Sequence, residues 1–212
     1  MRYLTAIVLF LLVFPATASA GTTLILPNGQ PAPKRFLSYI EQSKVQTPSV
    51  TIMLQRSGCP GVLESGGCTA HGWSQIYITH SSWDDQFSFM HELGHNFDFG
   101  MPHAARLAFA KILNDHRAWY EGEADALLMS SNAPLVEQFA DYYASCAIDG
   151  SAPVTITQHH RDYVATEGYA KAPITVRQYK QICRLISRVG YVGASDPHVY
   201  DDAFSSDPIW PA

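Results

Sequence analysis

Two periodicities divide the chain. Val50, Ile52 and Leu54 alternate with Thr51 and Met53 as in a half-buried strand, and the stretch 75–79, Gln-Ile-Tyr-Ile-Thr, is a second strand. Leu24-Ile25-Leu26 is a third, ended by the turn residues Pro27-Asn28-Gly29. Elsewhere the apolar positions recur every three or four residues: Phe36, Leu37 and Ile40 follow Pro33 at helical spacing. Longer helices are expected over about 83–98, 105–119, 134–148 and 176–188. The Ser81-Ser82 pair is the expected cap of the first, with Asp84 and Asp85 in its opening turn, where the helix dipole favours acids; Gly100 and Pro102 stop it. Ser131 or Asn132 would start the third, and Thr175 the last. The stretch 57–72, rich in Gly and Cys, reads as a loop, and the final twenty-odd residues, rich in Asp, Ser and Pro, as an irregular tail. The pattern is α+β: a small mixed sheet, with strand 75–79 as its edge, precedes a helix, and a mainly helical half follows.

The first twenty residues stand apart from this pattern. Arg2, an apolar run from Leu4 to Phe14 and the small residues Ala18-Ser19-Ala20 have the form of a cleaved export signal, and the run is too short to span a bilayer. Residues 21–212 then make one domain of 192 residues, with no further apolar run able to cross a membrane. Loss of Arg2 takes the net charge from -5 to -6, which argues against a general binder of nucleic acid or anionic membranes. All four cysteines lie in the exported part, so disulfides are expected, in a secreted or periplasmic protein that we take as a monomer. Three connectivities are open. Cys59 with Cys68, closing a short Gly- and Pro-rich loop, and Cys146 with Cys183, tying the end of one helix to the middle of another, is the favoured one, and no Cys-x-x-Cys spacing suggests a cysteine-ligated metal instead.

The candidate chemistry lies on the helix over 83–98. His91 and His95 are four residues apart, on one helical face, and can present two imidazoles to a single zinc ion. Glu92 is adjacent, placed to accept a proton from water that the ion has acidified. Phe87, Met90, Phe97 and Phe99 would pack this helix, and Gly94 would admit a close neighbour. A catalytic site of this kind needs a third protein ligand, and Glu137 is our choice, with Asp141 one helical turn later placed to orient a ligand histidine. Glu121 and Asp125 have the same spacing and remain rivals. Asp98 shares the histidine face but suits a supporting role better than direct ligation. A third histidine six residues after His95, past a glycine, would mark a metzincin; position 101 is Met and His103 falls two residues late.

The segment His91-Glu92-Leu93-Gly94-His95-Asn96-Phe97-Asp98, with Glu137-Gln138-Phe139-Ala140-Asp141-Tyr142-Tyr143-Ala144 downstream, resembles the gluzincins, and among them the anthrax-lethal-factor-like peptidases. The likeness covers about 75–146. It implies zinc on His91, His95 and Glu137, Glu92 as general base, and a polypeptide substrate. That family also has a tyrosine shortly before the third ligand to hold the oxyanion, but 127–132 contains none. Tyr120, Tyr163, Tyr169, Tyr191, Tyr200, His159, His160 and His198 are the remaining candidates. In metallopeptidases of this build the strand before the metal helix pairs with an extended substrate, which gives strand 75–79 a second possible role. The competing functional classes are a zinc-stabilised binding module without catalysis and a zinc amidase acting on cell-wall peptides.

Overall fold

The computed structural model describes residues 21–60, 67–69, 74–119, 134–150 and 175–189. The export signal, Glu121, Asp125, Ser131, Asn132, the tail and every oxyanion candidate named above lie outside them. The architecture is α+β. Strands β1 (Thr23–Ile25), β2 (Thr51–Gln55), β3 (Gly67–Thr69) and β4 (Gln75–Ile78) form one sheet in the order β1-β2-β4-β3. β1, β2 and β4 run parallel, while β3 pairs antiparallel with β4. Helix α1 (Lys34–Glu41) makes the crossover between β1 and β2.

The strand before the metal helix is therefore not at the edge. β3, drawn from the stretch expected to be a loop, covers it. Three residues, one of them glycine, carry too little alternation to show in a sequence pattern, and the pairing is pinned by a disulfide between Cys59 and Cys68. Leu24, Ile52, Leu54, Ile76 and Ile78 turn one face of the sheet to the helices and are buried there. Gln55, Gln75 and Tyr77 take the other face, where the Gln75 Oε1 accepts from Gln55 Nε2 and Tyr77 Oη, both at 2.8 Å.

Helix α2 (Gln86–Phe99) lies at the centre, every residue from Phe89 to Asp98 buried. Its cap is Asp85, whose carboxylate accepts from the Phe87 and Ser88 amides. Ser81 and Ser82 belong to the turn ahead of it, so the expected start is a few residues early. Helix α3 (His103–Leu113) stops well short of Trp119: Asn114 adopts the left-handed conformation (φ 55°) that ends helices, and Trp119 returns to the core from irregular chain. Helix α4 (Leu135–Asp149) starts after Pro134. Helix α5 (Val176–Arg188) has the predicted bounds and a capping box between Thr175 and Gln178. Tyr179, Ile182, Cys183 and Ile186 form its buried stripe, and Cys183 is bonded to Cys146 of α4. Both favoured disulfide pairings are present. Among the described residues, no helix is long and apolar enough to cross a membrane.

The contact that matters for the site is α2 against α4. A Cβ on Gly94 would lie 3.0 Å from Ala140 Cα and 3.1 Å from Tyr143 Cβ, so the backbones approach only because position 94 has no side chain. Phe97, Phe109, Trp119, Phe139 and Tyr143 fill the space around the crossing with stacked, tilted and edge-on ring contacts. Asp98 closes the far end of α2. Its Oδ1 accepts from Arg106 Nε at 2.9 Å and its Oδ2 from Trp119 Nε1 at 3.1 Å, with both charged side chains almost fully buried. Asp98 thus supports the site by fixing α3 and the chain after it onto the end of α2.

Candidate metal centre

The close crossing of α2 and α4 brings Glu137 over the two histidines one turn apart on α2. His91 Nε2 lies 3.1 Å from His95 Nε2 and 3.2 Å from Glu137 Oε2, and His95 Nε2 lies 3.4 Å from Glu137 Oε1. Among the described residues, His91, His95 and Glu137 are the group that can hold a metal ion. Donors about 2.0–2.1 Å from one tetrahedral ion are separated from each other by about 3.3 Å. The two imidazole nitrogens lie near that separation, and each faces a different oxygen of the Glu137 carboxylate, so the three side chains converge closely enough to hold a metal ion.

Asp141 sits one turn after Glu137 and accepts from His91 Nδ1 at 2.8 Å. That bond fixes the ring through Nδ1 and turns Nε2 toward His95 and Glu137, the orienting role that the four-residue spacing suggested. Asp141 is itself 1% exposed, so the orientation of His91 is set in a dry environment.

Glu92 is buried beside the ligands but does not join them. Its Oε2 has no hydrogen-bond partner among the described residues, and its Oε1 faces Gly67 of β3, where a Cβ would stand only 2.9 Å away. The Thr69 Oγ1 donates to the Glu92 main-chain oxygen at 3.1 Å, and Asn96 Nδ2 donates to the same oxygen at 3.3 Å. Gly67, Thr69 and Asn96 are contributors that the sequence reading did not assign. Asn96 had a usable signal, its four-residue spacing from Glu92 on one helical face; Gly67 and Thr69 had none.

The electrostatics follow from this crowding. Burial raises the pKa of Glu92 above the usual carboxylate value, an effect that the neighbouring His91 and His95 reduce but do not reverse. Burial would lower His95, but the Glu137 carboxylate beside it prevails and raises it. Burial likewise opposes charge on Glu137, yet the two imidazoles hold it well below the ordinary range.

These directions predict how the metal-free protein responds to pH. His95 and Glu92 bind protons more tightly folded than unfolded, so their contributions are complete below the unfolded values of 4.5 for Glu92 and 6.5 for His95 and are lost as pH rises through the folded ones. Glu137, depressed from 4.5, contributes fully above that value and loses its share only in stronger acid. Chelated protein is therefore expected to melt higher at about pH 5.5 than at pH 8, by roughly 2–4 °C for each kcal/mol so linked. Calorimetry that finds the two melting temperatures equal, or the order reversed, would contradict this arrangement of charges.

No protein-family model, curated protein or solved structure matches this chain. The functional reading therefore rests on the residues themselves.

Proposed function

We propose that the protein is an exported zinc-dependent endopeptidase of the gluzincin type, similar in its two motif helices to the anthrax-lethal-factor-like peptidases. The observation that carries the reading is the meeting of His91, His95 and Glu137, with ligand atoms all within 4.8 Å of one another, beside a buried carboxylate, Glu92, that is not one of them. A structural zinc site has no use for such a carboxylate and is usually closed by a fourth protein ligand. Two imidazoles and one carboxylate suit zinc, and Asp141 supplies the partner that ligand histidines ordinarily have.

Zinc bound there supplies a Lewis acid that polarises a carbonyl and acidifies water. The chain's own residues supply the rest. Glu92, with its raised affinity for protons, takes a proton from water and returns it to the leaving amine. β3 is the outermost strand of the sheet among the described residues, so its far edge is where an extended polypeptide would add as a further strand by main-chain hydrogen bonds. The two disulfides fit an oxidising compartment, in keeping with export.

Metal analysis together with a proteome-derived peptide library tests the assignment. One zinc per chain and chelator-sensitive cuts within ordinary polypeptides are expected. Cleavage confined to cell-wall peptides would make the protein an amidase, and zinc without any cleavage would leave a binding module.

A further inference from the structure

Alternation along β3 gives its two faces different surroundings. Gly67 and Thr69 are in register with Ile78 and Ile76, on the face turned to α2, and these are the residues that meet Glu92. Cys68, between them, is in register with Tyr77 on the opposite face and is bonded to Cys59, which follows β2 by a few residues. A three-residue strand with a neighbour on one side is a weak element by itself. The disulfide holds it from behind while its front face rests on the glutamate.

The ligands are secured independently. His91 and His95 lie on α2, Glu137 and Asp141 on α4, the two helices are packed together at the Gly94–Ala140 contact, and α4 is in turn tied to α5 by the Cys146–Cys183 bond. The two disulfides also differ in access. Cys146 and Cys183 are 0% and 3% exposed, whereas Cys59 is 6% exposed and Cys68 is only partly buried.

We propose that the Cys59–Cys68 disulfide is a redox latch on Glu92, with Thr69 as the positioning residue through which it acts. Oxidised, it holds β3 on α2, so that Gly67 stays against the carboxylate and Thr69 stays bonded to the main-chain oxygen of the same residue. A thiolate of a dithiol reductant attacks the partly exposed Cys68 sulfur, forming a mixed disulfide as the Cys59–Cys68 bond breaks and Cys59 leaves as a thiolate; the second thiol of the reductant then attacks its own mixed-disulfide sulfur and releases Cys68. Two electrons and two protons pass to the cysteines, and the reductant becomes a disulfide. β3 then leaves α2, while His91, His95 and Glu137 keep the metal. A chain made in a reducing compartment stays inactive until it is oxidised outside. The proposal rests on the reading of Glu92 as the base.

The test uses the Cys59→Ser/Cys68→Ser double variant, Thr69→Val and Thr69→Ser in the full exported chain, with two readouts. In metal-free protein, amide exchange at 67–69 and 75–78 is expected to quicken at least tenfold in the double variant, with α2 and α4 as protected as in wild type. In zinc-loaded protein, metal content is expected to stay at wild-type level. Hydrolysis of labelled casein is expected to fall at least tenfold in kcat for the double variant and Thr69→Val, with little change in KM, and Thr69→Ser is expected to restore it. Unchanged exchange at β3, or wild-type kcat in the double variant, overturns the latch. If wild type cleaves no casein while exchange at β3 quickens as expected, the peptidase reading fails and the latch on the strand is upheld.

Discussion

Glu92→Gln is expected to retain the metal and to lose nearly all peptide hydrolysis. Glu92 is absent from the ligand group, and glutamine has almost the same shape, so His91, His95 and Glu137 keep their positions. What disappears is the carboxylate beside the ligands that neither belongs to the ligand group nor is engaged by a ligand histidine as Asp141 is, and loss of general acid–base catalysis costs about 10²–10⁴ in rate. The effect belongs in kcat, because the carboxylate acts on the reacting proton and not on the rest of the substrate. A variant that hydrolyses the library at the wild-type rate sinks the mechanism.

The same substitution carries a second expectation of opposite sign. Glu92 is buried, one of its oxygens has no partner among the described residues, and its raised pKa records the resulting cost of ionisation. An amide has no such cost. Metal-free Glu92→Gln is therefore expected to melt above wild type at pH 8 and to lose that advantage as the pH falls and wild-type Glu92 gains its proton. Higher stability joined to lost activity is the signature of a group kept for chemistry at the expense of the fold. Equal melting temperatures at pH 8 would indicate that water or a neighbour already satisfies the carboxylate.

The parts of this arrangement that a single sequence exposes are those written in helical spacing. His91 and His95, Glu137 and Asp141, and the stripe of α5 are each a four-residue relation on one helix, and all are found as expected. Gly94 was legible as a close-approach position, though its partner Ala140 was not, because a helix crossing joins residues far apart in the chain. The edge of the sheet was misassigned for a related reason. β3 exists through a cross-link and one neighbouring strand, neither of which leaves a periodicity of its own. The same blindness hid Gly67 and Thr69, which reach Glu92 across that strand. Asp98 is bonded to Arg106 and Trp119, eight and twenty-one residues away, separations that carry no periodicity a sequence could show.

Glu137→Ala is expected to lose the metal. The two imidazoles alone leave the ion with two protein donors where a site of this class uses three. The loss should far exceed that of Asp141→Ala, which keeps all three donors and frees only the orientation of His91, an effect of about 10–100-fold in affinity. This ranking separates a ligand from a group that merely steers one, which metal content at a single concentration cannot do; competitive titration against a chelator of known affinity measures it. The metal-free variant supplies an independent check. Glu137 is the chief influence raising the proton affinity of His95, so its removal is expected to weaken the dependence of melting temperature on pH between about 5.5 and 8, leaving mainly the contribution of Glu92. Full metal retention in Glu137→Ala would transfer the third ligand elsewhere, to Glu121 or Asp125 in the first instance. Loss of metal with an unchanged pH profile would keep Glu137 as a ligand but contradict its pairing with His95 in the empty site.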